Sequence, residues 1–418
     1  MPALRPYQLE GVSRLIEFTE RYRAAILADE PGCGKTAQVA EFINRTHPAV
    51  VMIICPASLR LNWRRELEKW LTWTPFQTHV FSYERAVSGL PDTPPVDLAV
   101  FDEAHYLKNP FAKRTKACLA IEAQTRLFLT GTPVVNRPMD IFPILKAIGS
   151  RLSRVEFGKR FCAGHLVCVR HRPAKRYAWD FSGASNTAEL NKALRTSCMV
   201  RRTKAEVLSD LPQKIRQVIE LDIPSGESPA LRDAVSRMFE GMETAAENIA
   251  ELKCIAFTEL AAARLEIAMH KLPCVCSMIK DLLEEEEKIV VFAHHRAVID
   301  AICQAARKDG FTSVKLYGGM SDKEKDAAVR EFQDGFARVF VGQITAAGTG
   351  LTLTAAKTVL FAELDWVPGN VTQAEDRCHR LGQTDPVRII HLVAKDSVDA
   401  RMVHALVDKQ STIERIVK

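Results

Sequence analysis

Long apolar runs are missing from this sequence. No stretch approaches the roughly 18–20 residues that a membrane-spanning helix needs, and the N-terminus carries no charged–apolar–small signal pattern. A membrane protein is therefore not expected. Glycine and proline number only 20 each, which excludes collagen-like, mucin-like and wholly disordered chains. The eleven cysteines are scattered and odd in number. That argues against a secreted disulfide framework and for a reducing, intracellular compartment, nucleoid or cytoplasm in a prokaryote or virus and nucleus in a eukaryote. What remains is 418 residues, 47% hydrophobic and 26% charged, enough for two or three soluble domains with real cores.

A strong excess of one charge is also absent, since 57 Lys and Arg face 51 Asp and Glu for a net +6. The total hides a polarity. Residues 1–220 hold 33 basic and 21 acidic side chains, or +12, whereas 221–418 hold 24 and 30, or −6. Within the first half, Arg151, Arg154, Lys159, Arg160, Arg170, Arg172, Lys175 and Arg176 crowd into 26 residues with a single acid, Glu156. Such a patch is the footprint of a polyanion partner; a merely solvated basic face has the same composition.

Short runs rich in Val, Ile, Leu and Phe recur, each followed by a turn signal and a helical pattern. They stand at 24–28, 50–55, 98–101 and 126–130, and again at 289–293, 313–317, 338–342, 358–362 and 387–393. Near-continuous apolar strands of this length belong in parallel sheets covered by helices on both faces. Two series of strand–helix alternation predict two α/β lobes. Between them, 228–287 has no strand signal, and Leu231, Val235, Met238, Phe239 and Met242 recur at helical spacing. Residues 151–212 are basic and mixed in pattern. The expected layout is lobe one over 1–150, a basic and mainly helical insertion over 151–287, and lobe two over 288–418.

Four strings carry chemistry. Asp29-Glu30-Pro31-Gly32-Cys33-Gly34-Lys35-Thr36 follows an apolar strand and precedes a helix. Gly32 and Gly34 there let backbone N–H groups close on phosphates at the positive end of a helix. Lys35 then reaches the β- and γ-phosphates and the Thr36 hydroxyl reaches Mg²⁺. The match is imperfect, because Asp29 occupies the place of the first glycine. Asp102-Glu103-Ala104-His105 ends another strand. An acid pair there delivers one carboxylate to Mg²⁺ and the next to the water attacking a γ-phosphate, although acids at strand ends also serve as helix caps. Leu129-Thr130-Gly131-Thr132-Pro133 places two hydroxyls near that pair. In Gln373-Ala374-Glu375-Asp376-Arg377-Cys378-His379-Arg380-Leu381-Gly382-Gln383, Arg377 and Arg380 are three apart and expected on one helix face. Guanidinium groups aimed at a γ-phosphate stabilise its transition state, provided that the lobes close; a salt-bridged surface helix is the plainer reading.

In this order, together with AGTGLTLTAA at 347–356, these strings resemble a superfamily 2 helicase-type motor, and their wording is closest to the Swi/Snf-type ATPases. LRPYQLEGV (4–12) is similar to that family's adenine-reading segment, with Gln8 at the base-contacting place. CPASLRLNWRRELEKW (55–70) is similar to its first DNA-contacting segment, and RRTKAEVLSDLPQK (201–214) to the stretch that braces one lobe against the other. FGKRFCAGH (157–165) with FSGASNTAEL (181–190) resembles the HARP-type annealing-helicase subgroup. The resemblance runs from Leu4 to about Asp399. It implies two RecA-like lobes and ATP and Mg²⁺ as cofactors, with Thr36 and Asp102 on the metal. Glu103, Lys35, Arg377 and Arg380 would be catalytic, and Gln8, Gly32, Gly34, Gly350 and Gln373 would line the nucleotide. Thr349 and Gly350 would link DNA contact to the ATP site. The implied activity is a DNA-dependent ATPase that moves as a monomer along double-stranded or forked DNA, in repair or replication-fork processing. A strand-separating DNA or RNA helicase and a nucleotide-switched binder are the alternatives. Pro31 and Cys33 replace the bulky apolar residues usual in the family's phosphate loop. The chain stops about 20 residues after its last motif without a recognisable targeting or substrate-recognition module, so a protein partner supplying recognition is expected.

Weaker signals have plain readings beside the functional ones. Cys162, His165, Cys168 and His171 fall at even three-residue steps, an unfamiliar spacing for one tetrahedral zinc site, and two of them lie inside a family-like string. Cys274 and Cys276 read as helix packing. Trp63, Trp70 and Trp73 read as a buried helical stripe, with base stacking as the alternative. Glu284–Glu287 read as a solvated helix end. Ser321 with Glu324 forms a capping box and needs no function.

Overall fold

In the computed structural model the described residues are 3–131, 133, 137–170, 176–208, 211–223, 249–347, 351–365, 368–380, 382–395, 397 and 400. The chain divides into two compact units, one built from residues up to His165 with Trp179–Asp210, the other from Leu166–Ala178 with Leu211–Ser411.

The first unit is a six-stranded parallel sheet. Its strands are β1 (Ala24–Leu27), β2 (Val50–Cys55), β3 (Gln77–Ser82), β4 (Val96–Asp102), β5 (Ala123–Leu129) and, after β6 (His165–Arg170) and β7 (Arg176–Asp180) of a separate two-stranded ribbon, β8 (Met199–Val200). The order across the sheet is β3-β2-β4-β5-β1-β8, with Asp102 opposite Leu129 and Leu27 opposite both Leu129 and Val200. Because successive side chains alternate, the strands feed two cores. Ala24, Ile26, Met52, Ile54, Phe101 and Phe128 enter one; Ala25, Leu27, Val51, Ile53, Val100 and Leu127 enter the other. Each buried Ile, Leu or Phe stabilises by about 1.5–3 kcal/mol, so both faces need helices over them. Helices α1 (Pro6–Tyr22), α2 (Lys35–Thr46) and α3 (Arg60–Trp70) supply Val12, Leu15, Val39, Phe42, Trp63 and Leu67 to the second core.

The second unit repeats the design. Its strands β9 (Lys214–Leu221), β10 (Ile289–Ala293), β11 (Ser313–Leu316), β12 (Val339–Gln343), β13 (Thr358–Phe361) and β14 (Val387–Ala394) lie in the order β11-β12-β10-β13-β14-β9, all parallel. The two-lobe α/β expectation holds, and all nine expected strands are present. The helix Asp322–Gln333 starts at Ser321, whose hydroxyl accepts from the Glu324 N–H, as the capping box requires. Among the described residues no helix is long and apolar enough to cross a membrane.

The structure differs from the expected insertion over 151–287. Residues 179–208 count with the first unit, where Met199 and Val200 extend the sheet beside β1. Residues 214–221 are the edge strand of the second sheet, and the helix Ile249–Glu285 packs on that same sheet through Val275, Ile279 and Leu283. The mixed pattern of β9 explains why sequence passed over it: an edge strand with Ile215 and Val218 exposed need not alternate cleanly. Leu231, Val235, Met238, Phe239 and Met242 lie outside the described residues. The Glu284–Glu287 run ends the helix as expected, although Glu286 accepts from Thr358 and pairs with Lys357 and Arg388.

What fastens β9, beyond its ladder, is a buried charge cluster. Lys214 Nζ lies 3.0 Å from Glu375 and 2.8 Å from Asp376, and the Arg216 guanidinium lies 2.7 Å from Glu375. Burial alone would raise the Glu375 carboxyl, but Lys214, His391 and Arg216 outweigh it and hold the group well below the usual carboxylate range. Removing one partner of a buried pair costs about 3–5 kcal/mol. Lys214→Ala should therefore lower the unfolding free energy at pH 7, read from urea titration, by an amount near the low end of that range, Arg216 remaining. A depressed folded pKa stabilises above the unfolded glutamate value of about 4.3 and loses its effect as pH falls below it. The deficit of Lys214→Ala should accordingly shrink between pH 7 and acid conditions; an equal deficit at both would show that the pair does not carry it.

Candidate nucleotide site

In the first unit the candidate residues gather at the carboxyl edge of the sheet, where a parallel α/β fold opens its crevice. β1 runs into the loop 28–34, which turns into α2 at Lys35. Gly32 and Gly34 take positive φ of 92° and 76°, conformations costly for any side chain. Gly34 has a second constraint: a Cβ there would stand 2.3 Å from Gln8 Nε2. Gln8 is buried, donates to the Cys33 carbonyl and accepts from the Arg5 N–H, while the Tyr7 hydroxyl donates to the same carbonyl. The adenine-reading candidate is thus seated against the phosphate loop by α1. Lys35 Nζ donates to the Asp29 carbonyl at 2.8 Å, and Thr36 follows it in the first turn of α2.

Asp29, the misfit in the loop motif, is fully buried and takes three bonds from Arg202, through its backbone N–H (2.9 Å), Nε (3.1 Å) and Nη2 (2.6 Å), and one from Gln38 Nε2 at 2.9 Å. Arg202 also donates to Gln38 Oε1 and to the Tyr7 carbonyl. Beside it, Arg201 donates to the carbonyls of Ala28 and Gly131, and the Lys204 N–H to the Glu30 carboxylate. The stretch 201–204, read in sequence as a brace between lobes, is bonded along the outer flank of the phosphate loop within one unit. Sequence missed this pairing. The signal was available, since a carboxylate replacing glycine in a buried turn requires a cation.

Pro31 packs its ring on Gly131, where a Cβ would come within 2.6 Å of it. Cys33 is buried and its thiol is pushed up to about 12, first by burial and then by Asp29, so it stays protonated.

β4 delivers Asp102 and Glu103. Asp102 is buried; its Oδ1 accepts from the Glu103 N–H at 2.9 Å, its Oδ2 from Trp63 Nε1 at 2.8 Å, and its carbonyl from the Tyr83 hydroxyl at 2.8 Å. Burial, and then the charge on Glu103, raise its carboxyl to about 6, against the pull of Trp63 and Lys35. Glu103 sits at φ 53° and ψ 49°, a strained left-handed conformation for a residue with a side chain. Its Oε2 lies 3.2 Å from His105 Nδ1, and that ring nitrogen stands 3.4 Å from the Thr130 hydroxyl. Thr130 therefore does reach the acid pair, through His105; Thr132 lies outside the described residues. Asp102 is a buried carboxylate within electrostatic reach of Lys35, a hard oxygen donor of the kind that suits Mg²⁺.

In the second unit, the helix Pro368–Glu375 ends before the two arginines, so they do not share a helix face as expected. The Arg377 and Cys378 N–H groups bond three residues back, to Ala374 and Glu375, which tightens the chain into turns. Glu375 and Asp376 at this point pair with Lys214. Arg377 is buried, with Nε donating to the Gln373 carbonyl; Arg380 donates to the Leu351 carbonyl at 3.0 Å. Gln373 is buried on the helix, while Thr349 and Gly350 lie outside the described residues.

Of the weaker signals, Cys162 is buried in the first core with its thiol pushed up to about 11 by burial, and His165 turns to the Ala163 carbonyl. Among the described residues no three His, Cys, Asp or Glu side chains group to hold a metal; His171 lies outside them. The tryptophans form no single stripe. Trp63 is buried, Trp70 is half-buried on Glu66, and Trp73, beyond the end of α3, packs against His47 with the rings tilted by 53°. In the basic patch Arg154 lies over Phe111 and Phe181, Lys159 over Trp179, and Arg160 pairs with Glu189. The side chains of Arg170, Arg172, Lys175 and Arg176 lie outside the described residues.

Comparison with known proteins gives matches along nearly the whole chain. The SNF2-related domain matches residues 7–92 and 84–271, and the helicase conserved C-terminal domain matches 270–382. The mouse "DNA annealing helicase and endonuclease ZRANB3" is 34% identical over 96% of this chain. The Xenopus tropicalis "SWI/SNF-related matrix-associated actin-dependent regulator of chromatin subfamily A-like protein 1" is 34% identical over 95%. The chain spans only 39% and 43% of the lengths of these two relatives. A solved Sulfolobus solfataricus SWI2/SNF2 ATPase core in complex with dsDNA aligns over 100% of this chain and 93% of its own, at 24% identity and a TM-score of 0.44, too loose a likeness to argue from.

Asp29→Ala would leave Arg202 without its buried carboxylate. The expected cost is about 3–5 kcal/mol of stability and weaker nucleotide binding, read by thermal unfolding and by titration with a fluorescent ATP analogue. Adding Arg202→Ala should recover part of the stability; additive losses would mean that the two are not coupled.

Proposed function

The chain belongs to the SNF2-related family, and from that premise we propose that it is an ATPase driven by double-stranded DNA, coupling hydrolysis to movement along the duplex and to annealing or remodelling of forked DNA. The observation that carries the reading is the convergence at one sheet edge of Lys35 and Thr36 at the head of α2 with Asp102 and Glu103 at the end of β4. The names of the relatives, an annealing helicase and a chromatin regulator, support the choice among motors.

In this assignment the N–H groups of the Gly32–Gly34 turn and the Lys35 ammonium bind the β- and γ-phosphates of ATP, and Gln8 meets the adenine. Thr36 and Asp102 would hold Mg²⁺, which when bound neutralises charge on the phosphate oxygens. Glu103 takes the proton of the water that attacks the γ-phosphorus as the bond to ADP breaks. The residue sits in a left-handed backbone conformation, and one carboxylate oxygen lies 3.2 Å from His105 Nδ1. Arg377, Arg380, Gln373 and Gly350 are assigned to the nucleotide from the second unit's motifs. DNA contact is assigned to phosphates through exposed basic side chains, so binding should weaken with salt and vary little with sequence.

The test is ATP turnover with duplex DNA, single-stranded DNA, RNA or no nucleic acid. Duplex should stimulate most. Lys35→Ala should lose nucleotide binding, and Glu103→Gln should lose turnover by at least about 100-fold while still binding ATP and duplex. Stimulation by RNA alone would favour a strand-separating RNA helicase. No stimulation by any nucleic acid would favour a nucleotide-switched binder.

A further inference from the structure

Trp63 has no part in the roles assigned above, yet it touches the proposed Mg²⁺ carboxylate. It is 1% exposed on the inner face of α3, and its indole donates to Asp102 Oδ2 at 2.8 Å. The other two donors to this residue are the N–H of Glu103, next in the chain, and the Tyr83 hydroxyl, which binds the carbonyl. Of these three, only the indole comes from α3. An indole N–H donates and cannot accept, so the bond fixes which carboxylate oxygen is turned to α3. A ring present for packing alone would serve equally well as phenylalanine. The helix also has a second side: Arg64 and Arg65 are exposed beside the buried Trp63 and Leu67. One helix therefore exposes Arg64, Arg65 and Lys69, with one acid, Glu68, among them, and turns one donor to the carboxylate.

We propose that Trp63 is a positioning residue that holds Asp102 for Mg²⁺ and transmits polyanion contact at Arg64 and Arg65, through α3, to that carboxylate. The proposal rests on the reading of Asp102 as a metal ligand. A phosphate backbone docked on the arginines shifts α3, and a shift of a few tenths of an ångström changes a charge-assisted bond of this length markedly. Partners of ligating carboxylates change metal affinity about 10–100-fold when removed.

Trp63→Phe keeps a buried ring and deletes the donor. The Mg²⁺ concentration giving half-maximal turnover should rise about tenfold, and the ratio of duplex-stimulated to basal turnover should fall, with little change in thermal midpoint. A second readout needs no turnover. The chain has five tryptophans, so its indole ¹⁵N–¹H spectrum has five signals. The one absent from Trp63→Phe should move on addition of Mg²⁺ with ADP, and again with a short mixed-sequence duplex. The duplex shift, but not the Mg²⁺–ADP shift, should vanish in Arg64→Glu/Arg65→Glu. If Trp63→Phe does not fold, Trp→Phe changes at the other four positions assign the signal by elimination, and its responses decide. An unchanged Mg²⁺ requirement, or a Trp63 signal indifferent to Mg²⁺–ADP, overturns the proposal. Asp102→Asn separates the two levels: retained turnover there sinks the site reading itself, whereas its loss beside a normal Trp63→Phe sinks only the role of Trp63.

Discussion

A carboxylate buried in the fold costs several kcal/mol unless donors meet it, and the segments around both sheets are placed so that four such acids are met. Asp29, after β1, takes Arg202 and Gln38. Asp102, at the end of β4, takes the indole of Trp63 and the N–H of Glu103. Glu363, after β13, takes the N–H groups of His294 and His295 and the His295 ring at 2.6 Å. Glu375 takes Lys214 and Arg216. In each case the donor comes from another part of the chain, and in three of the four it comes from another structural element. The acids thus dictate which loops and helices lie against which strand ends. Apolar burial supplies most of the stability of these sheets, but it is non-directional and does not select those partners.

Two of these acids are met by one stretch of sequence. Residues 200–204 follow the end of β1 and the phosphate loop, with Val200 and Arg202 accepting from the N–H groups of Ala28 and Glu30. Ten residues after Lys204, Lys214 and Arg216 bind the carboxylates next to Arg377. Within the first unit Arg202 is bonded to Asp29 of the loop 28–34, and within the second Lys214 and Arg216 are bonded to Glu375 and Asp376.

The strands, the phosphate loop and the acid pair were legible in sequence because their signals are local. A run such as VVMIIC can only be a buried strand or a short buried helix segment, and a GCGKT turn between strand and helix has few other uses. What stayed illegible depends on contacts across the fold. β9 reads as a mixed polar segment because one edge of it faces solvent, and its place in the second sheet depends on β14, some 170 residues later. The spacing of Arg377 and Arg380 predicts a shared helix face, but spacing alone does not say where a helix stops, and this one stops at Glu375. Trp63 was legible as buried and not as a donor, since nothing in its own helix names Asp102 as the acceptor.

The departures in the phosphate loop have a common resolution. Asp29 in place of glycine brings a charge, and Arg202 neutralises it. Pro31 brings a rigid ring, and Gly131 leaves space for it. Cys33 brings a thiol, and burial holds it protonated while its carbonyl serves Tyr7 and Gln8. Each change is answered by a residue outside the loop, and none uses the N–H groups at Gly32 and Gly34 to which phosphate is assigned in the proposed function. A loop judged by its own letters looks degraded. Judged with Arg202, Gly131 and Gln8 around it, it retains the backbone geometry of a phosphate cradle, and the tolerance for new letters resides in those neighbours.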